Sequence, residues 1–251
     1  MKNWEDIIRS PDESNFNHCS EIALPELKFG KNPEISRYNL NGGLVLCIDR
    51  LILNADEILE EIANLNYKPV ASDGYAGKWT ENQEKVSGRL SSYDVNFAEK
   101  LSQEIKKILP SDILSRSFNI PNICSVQAKK QNYKYAGINP YIRFIKYENQ
   151  KKLNNHYDKH AYFNENVQTM MTCLIYLTGS LTGQTVFLKD DKKTIEEKNA
   201  GDNQELKESM LAINPKPGRV LFFDQYLLHN TSNLVNEKKS LILTDMVMQT
   251  V

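Results

Sequence analysis

The 251-residue chain contains only four histidines, His18, His156, His160 and His229, so any imidazole-based site must be assembled from that short set. His156 and Asp158 stand two residues apart. On an extended segment, period-two geometry turns both side chains to one face and Tyr157 to the other, as two ligands of one metal require. A third donor, His229, lies in the later segment PGRVLFFDQYLLHN, and a β-barrel can bring it beside the earlier pair. Two imidazoles and one carboxylate on one side of a metal leave the opposite positions open. That is the donor set of a redox-active Fe(II) facial triad, and it also suits a Zn(II) ion that activates water. An H-x-D with some later histidine also arises by chance, in which case His156 is a surface residue bonded to a nearby carboxylate.

The neighbouring residues weigh against chance. Lys239 follows His229 by ten positions and begins the alternating segment KSLILTDMVM, from which a long ammonium-bearing side chain can reach inward to a carboxylate. Lys238 competes for that role, and alternation allows only one of the two to face inward. Tyr176, in MTCLIYL, either donates its hydroxyl to the same carboxylate from an adjacent strand or is plain barrel packing. Tyr147 reads as barrel packing, and His160 as solvent-exposed or at most a rim contact. Arg143 either reaches a substrate carboxylate or caps a sheet. Arg89 is a substrate-contact candidate by its place in a polar glycine-bearing stretch, where a solvated side chain is the first reading.

These side chains need a scaffold. Short apolar or alternating runs recur from about Asn122 onward: Tyr141 to Tyr147, Met170 to Leu177, Gln184 to Leu188, Arg219 to Phe223 and Leu241 to Met248. That rhythm predicts an antiparallel sandwich or barrel. Upstream, Leu44 to Ile48 reads as a strand after the turn-like Asn41-Gly42-Gly43. Asn54 and Glu57 have capping-box spacing before a helix carrying Ile58, Ile62 and Leu65. A second helix starts at the N-cap Asp94, carries Ala98, Leu101, Ile105 and Ile108 as one stripe, and ends at Pro110. The expected architecture is α+β, a double-stranded β-helix (jelly-roll) core over about 122–251 with supporting N-terminal helices. Residues 1–40 read as an irregular extension packed on a domain spanning 41–251. Two polar stretches stand out, Ala71 to Ser92, with Tyr75, Trp79 and Arg89, and Lys189 to Ser209, with five lysines and seven acidic residues. The second reads as a solvated insertion and the first as a surface loop able to flap over a substrate.

Composition narrows the partners. The 31 Lys+Arg against 32 Asp+Glu give a net charge of -1, which provides no field for a phosphate backbone, so nucleic acid is not expected. No apolar run approaches the ~20 residues of a membrane-spanning helix. The N-terminal MKNWEDIIRSPDES lacks the apolar stretch of a secretory signal, and Cys19, Cys47, Cys124 and Cys173 form no C-x-x-C pair, so a cytoplasmic protein with buried thiols is expected. The oligomeric state is left open by the sequence.

From about Asn139 to Met248 the chain resembles the prolyl 4-hydroxylase-like branch of the Fe(II)/2-oxoglutarate dioxygenases. The matching parts are YIRFIKYENQKKLNNHYD, then MTCLIYL followed by GQTVF, then NPKPGRVLFFDQYLLHN and Lys239 with its strand. The resemblance implies that His156, Asp158 and His229 hold Fe(II), and that Lys239, assisted by Tyr176, binds the far carboxylate of 2-oxoglutarate. It further implies an enzyme that uses O2 to convert 2-oxoglutarate to succinate and CO2 while hydroxylating an unactivated C–H bond of a protein side chain or small amino-acid-like molecule. Retention of Asp158 favours hydroxylation over halogenation. Two other classes fit the same donors: a zinc-dependent hydrolase, which leaves Lys239 without a role, and a non-catalytic binding or sensing module on the same barrel. Fe(II)-dependent succinate release separates them.

Overall fold

The computed structural model describes residues 4–9, 19–67, 88–120, 129–148, 152–191 and 207–251. Asn41 and Gly42 both take positive φ, 50° and 76°, as a two-residue type I′ hairpin requires, and they join β1 (Glu34–Leu40) to β2 (Gly43–Asp49). The expected irregular extension over residues 1–40 therefore contains a full strand of the main sheet. Its earlier part begins with α1 (Trp4–Arg9), whose Trp4 is buried edge-on against Phe163 at 4.9 Å between ring centroids.

Two helices cover one face of that sheet. In α2 (Ala55–Ala63) Ile58 and Ile62 are buried, but Asn54 makes no cap hydrogen bond. Its carboxamide instead bonds the Lys28 N–H at 3.0 Å and the Glu26 carbonyl at 2.9 Å, tying down the strap that precedes β1, so the capping-box reading fails. In α3 (Val95–Ile108) the Asp94 carboxylate accepts from the Phe97 N–H at 2.9 Å, and Ala98, Leu101 and Ile105 face the core as their spacing requires. The short α4 (Ser111–Leu114) follows Pro110.

The remaining strands are β3 (Gly88–Tyr93), β4 (Ser115–Ile120), β5 (Lys129–Ile138), β6 (Tyr141–Tyr147), β7 (Leu153–His156), β8 (Tyr162–Asn164), β9 (Val167–Tyr176), β10 (Thr185–Leu188), β11 (Ser209–Ile213), β12 (Val220–Asp224), β13 (His229–Thr231) and β14 (Lys239–Thr250). One antiparallel sheet runs β1-β2-β12-β9-β14-β5-β4, with β6 and then β3 on the first half of β14 and β8 on β9. The second runs β11-β10-β13-β7. From β6 onward the chain alternates between them: β6, β9, β12 and β14 in the large sheet, β7, β10 with β11, and β13 in the small one. That alternation is a double-stranded β-helix.

Period-two alternation divides the apolar residues. Along β9, Cys173 and Ile175 join the core under α2 and α3, whereas Leu174 and Tyr176 join Phe187, Phe223 and Leu241 between the two sheets. Asp224, at the end of β12, is buried and accepts two hydrogen bonds from Arg116 of β4, at 3.0 and 2.9 Å, and one from the Leu44 N–H. This pair ties β4, at one end of the large sheet's order, to β12.

Of the polar stretch Ala71 to Ser92, residues 71–87 with Tyr75 and Trp79 lie outside the described residues, while 88–92 form most of β3 and are not a loop. Residues 192–206 of the charged insertion and His18 also lie outside them. The base of the insertion is closed by the Lys189 N–H bonding the Glu208 carbonyl at 2.8 Å. No described helix is long and apolar enough to cross a membrane.

Candidate metal centre

Strands β7 and β13 pair so that His156 and His229 are direct partners, and their rings lie 4.2 Å apart between centroids. Asp158 follows β7 by two residues, and its N–H bonds the Gln225 carbonyl at 3.1 Å. Its Oδ1 lies 3.6 Å from His156 Nε2 and its Oδ2 lies 3.7 Å from His229 Nε2. One ligand atom from each residue falls within 4.8 Å of the other two, the spacing of a set that closes on one cation.

The tautomers agree with that role. His156 Nδ1 donates to the Asn154 carbonyl at 2.7 Å and His229 Nδ1 to the Leu227 carbonyl at 2.9 Å. A carbonyl only accepts, so each neutral ring carries its proton on Nδ1 and presents the Nε2 lone pair toward Asp158. Burial, then the neighbouring His156, hold His229 down to about 4, so this imidazole is neutral at pH 7. Burial acts to raise the Asp158 carboxyl, but the positive charge of His229 and His156 when protonated, the Thr172 hydroxyl at 2.5 Å and Arg143 outweigh it and leave it below the ordinary value. A neutral His229 imidazole beside an ionised Asp158 carboxylate is the protonation state a divalent cation needs. The donor set fits the Fe(II) suggested by the sequence.

A cavity of about 200 Å³ opens from these donors and is lined at its other end by Lys239, Tyr147, Thr185 and Thr231. Lys239 is 1% exposed, whereas Lys238 points to solvent. The Lys239 ammonium donates to the Gly183 carbonyl at 2.8 Å, lies 5.0 Å from the centre of the Tyr147 ring and 5.5 Å from that of Tyr176, and has no carboxylate partner among the described residues. Burial pushes it down to about 7. Gly183 has φ 65°, and a Cβ there would lie 2.7 Å from Leu234 Cδ1 and 3.6 Å from Lys239 Cδ, so a glycine lets the chain pass close behind the lysine.

Tyr176 sits elsewhere than expected. It is fully buried behind the cavity wall, and its hydroxyl is engaged with Thr185 Oγ1 at 2.7 Å. Tyr147, expected only to pack, faces the cavity, and its register partner on β14 is Lys239 itself. His160 is not solvent-exposed: its ring stacks 4.2 Å from Tyr226, Nδ1 bonds the Thr169 carbonyl at 2.5 Å, Nε2 is buried without a partner, and burial lowers it to about 4. Arg89, expected to be solvated, lines the cavity beside Arg143. Behind the triad, fully buried Gln225 accepts from Thr169 Oγ1 at 3.1 Å and donates to Asp245 at 3.0 Å, bracing the segment that holds the Asp158 backbone.

No protein-family model matches the chain, and no curated protein does. Solved structures resemble it over part of its length. One is a 2OG-Fe(II) oxygenase family oxidoreductase from Burkholderia pseudomallei, with 11% identity, 47% of this chain and 46% of that one covered, and a TM-score of 0.30. A second is a viral collagen prolyl hydroxylase from Paramecium Bursaria Chlorella virus-1 in complex with 2OG, with 16% identity, 64% and 79% covered, and a TM-score of 0.35. A third is HygX from Streptomyces hygroscopicus with iron bound, with 12% identity, 47% and 58% covered, and a TM-score of 0.32. The chain spans about half the length of the first and the third. Overlays this partial carry no argument about activity, which rests on the donors and the cavity.

Proposed function

We propose that the chain is an Fe(II)- and 2-oxoglutarate-dependent dioxygenase that hydroxylates an unactivated C–H bond of a protein side chain of prolyl type or of a small amino-acid-like molecule, releasing succinate and CO2. The observation that carries this reading is the placement of three metal donors and a buried lysine ammonium without a carboxylate partner on the walls of one cavity. Activation of water at a hydrolytic metal site leaves that ammonium unexplained. A dicarboxylate cosubstrate uses it, because one end meets the metal and the other needs a buried cation.

When bound, Fe(II) with 2-oxoglutarate and O2 supplies the oxidising power. The chain's own residues supply position and dryness. His156 and His229, locked by their Nδ1 bonds, and Asp158, held by Thr172, fix three ligand directions. Lys239, released from the Gly183 carbonyl, takes the far carboxylate, with the hydroxyl groups of Tyr147, Thr185 and Thr231 beside it. Leu174, Leu241, Leu243 and Phe223 line the span between these ends and exclude water from it. The three described cysteines are free thiols, consistent with the reducing, cytoplasmic setting we propose.

The test is succinate formation. Fe(II)-loaded protein in air should convert 2-oxoglutarate to equimolar succinate and CO2, slowly without a prime substrate, and His229→Ala should form none. Succinate formation unchanged in His229→Ala, or none from the metal-loaded parent at any Fe(II) concentration, refutes the reading.

A further inference from the structure

Two guanidinium groups face the same cavity from the strand pair β3 and β6. The register sets Arg89 opposite Ile145 and Ser91 opposite Arg143, so the two arginines are diagonal neighbours on the inner face. Both line the cavity together with His156 and Asp158. They stand apart from the lysine end. Along β14 the partner of Tyr147 is Lys239 and the partner of Arg143 is Leu243, four residues on, which is about 13 Å of strand.

Their charge is poorly matched. Arg143 Nη2 reaches Asp245 at 3.2 and 3.4 Å, but its Nε is buried without an acceptor among the described residues. Arg89 is half-buried, bonds the Tyr141 side chain, and has no ion-pair partner among the described residues. Burial and the adjacent Arg143 both lower its hold on its proton, a strain that an incoming anion relieves. Among the described residues, the carboxylate bonded to Arg143, Asp245, already accepts from Gln225 Nε2 at 3.0 Å and Asn139 Nδ2 at 3.3 Å, and Asp158 faces the metal site. With Lys239 protonated, as a bound dicarboxylate requires, Arg89, Arg143 and Lys239 bring three positive charges to the cavity against Asp158 on its wall and Asp245 behind Arg143. A divalent metal and a dicarboxylate dianion cancel each other and leave that imbalance in place. An arginine fork is the side chain that pairs best with a carboxylate, and its planar donors are arranged for two parallel bonds.

Building on the dioxygenase reading above, we propose that the prime substrate carries a carboxylate, which Arg89 and Arg143 bind so that the C–H bond to be oxidised is presented to the metal between this anion site and Lys239. Arg89 selects the substrate class: acids enter and their neutral amides are rejected, because without an anion the guanidinium pair remains unmatched.

The test uses Mn(II)-loaded protein saturated with 2-oxoglutarate, with Zn(II)-loaded protein as the diamagnetic control. Three matched probe pairs are titrated and followed by proton NMR line broadening: N-acetylproline, N-acetylleucine and N-acetylphenylalanine, each against its primary amide. At least one acid should bind at least tenfold more tightly than its amide, with broadening that depends on Mn(II). That preference should fall below twofold in Arg89→Gln and return in part in Arg89→Lys, with Mn(II) and 2-oxoglutarate affinities unchanged in both. Equal binding of acid and amide in every pair, no binding by any probe, or a preference that survives in Arg89→Gln overturns the anion site. Loss of Mn(II) or 2-oxoglutarate binding in the unaltered protein instead overturns the dioxygenase reading, so the two failures are distinct.

Discussion

Replacing Lys239 with methionine removes the ammonium and keeps most of the buried volume. In the ligand-free protein the ammonium lies under full burial with one carbonyl for a partner, and its pKa falls from 10.5 to about 7. At about 1.36 kcal/mol for each pH unit between those values, the free protein bears a cost on the order of 5 kcal/mol for holding that charge at neutral pH. The sign follows from proton counting. Between pH 7 and about 10 the unfolded chain keeps its proton while the native lysine loses it, so the unfolded state binds more protons and stability rises with pH in that window. Lys239→Met should therefore be more stable than the parent at pH 7 and should lack that rise. Its 2-oxoglutarate binding should collapse, because a carboxylate entering this end meets no cation. A loss of 2 to 5 kcal/mol, typical for one partner of a buried charge pair, corresponds to roughly 30-fold to several thousand-fold weaker binding. Calorimetric titration of 2-oxoglutarate into Mn(II)-loaded protein, with urea unfolding of the metal-free protein at pH 7 and 9.5, reads both effects. Binding within threefold of the parent would refute the reasoning, as would a destabilised Lys239→Met protein with an unchanged pH slope.

Three further outcomes follow from the same geometry. Thr172→Val deletes the hydroxyl that bonds Asp158 at 2.5 Å, and Mn(II) affinity measured by electron paramagnetic resonance should fall about 10- to 100-fold with the fold intact. Gly183→Ala forces a side chain into a left-handed position against Leu234 and behind Lys239; 2-oxoglutarate should bind about tenfold more weakly by calorimetry while Mn(II) affinity stays at the parental value. Arg116→Met leaves the buried Asp224 carboxylate without its cation, a loss of about 3 kcal/mol that should lower the melting temperature by about 6 to 12 °C in a thermal scan.

What could be read in the sequence depended on how local its cause was. The run Tyr141 to Tyr147 is rich in aromatic and β-branched residues and is the strand β6 end to end. Asp94 and the stripe behind it are α3, because a cap and a helical period are both set by neighbours in the chain. His156 and Asp158 could be paired from spacing alone, since two residues on an extended segment share a face. Long-range causes were hidden. The stretch Gly88 to Tyr93 is small and polar and looks like a loop, yet it lies against β6 and buries Ser91 and Ser92, which only pairing with a distant strand can do. His160 sits in an irregular polar stretch, and the tyrosine that stacks on it comes from residue 226. Tyr176 and Tyr147 both end barrel strands, and the register placing Tyr147 opposite Lys239 is a property of the assembled sheet. Asn54 has the spacing of a cap, but its carboxamide is claimed by Lys28 and Glu26 from a strap whose course the sequence does not reveal.

The most direct measurement is a crystal structure of the protein grown with Mn(II) and 2-oxoglutarate. One metal ion should be bound by His156 Nε2, His229 Nε2 and the Asp158 carboxylate, with the keto-acid end of 2-oxoglutarate on the metal and the far carboxylate on Lys239 Nζ in place of the Gly183 carbonyl. A metal bound elsewhere would contradict this assignment, as would a 2-oxoglutarate whose far carboxylate rests on Arg89 and Arg143 while Lys239 keeps its bond to Gly183.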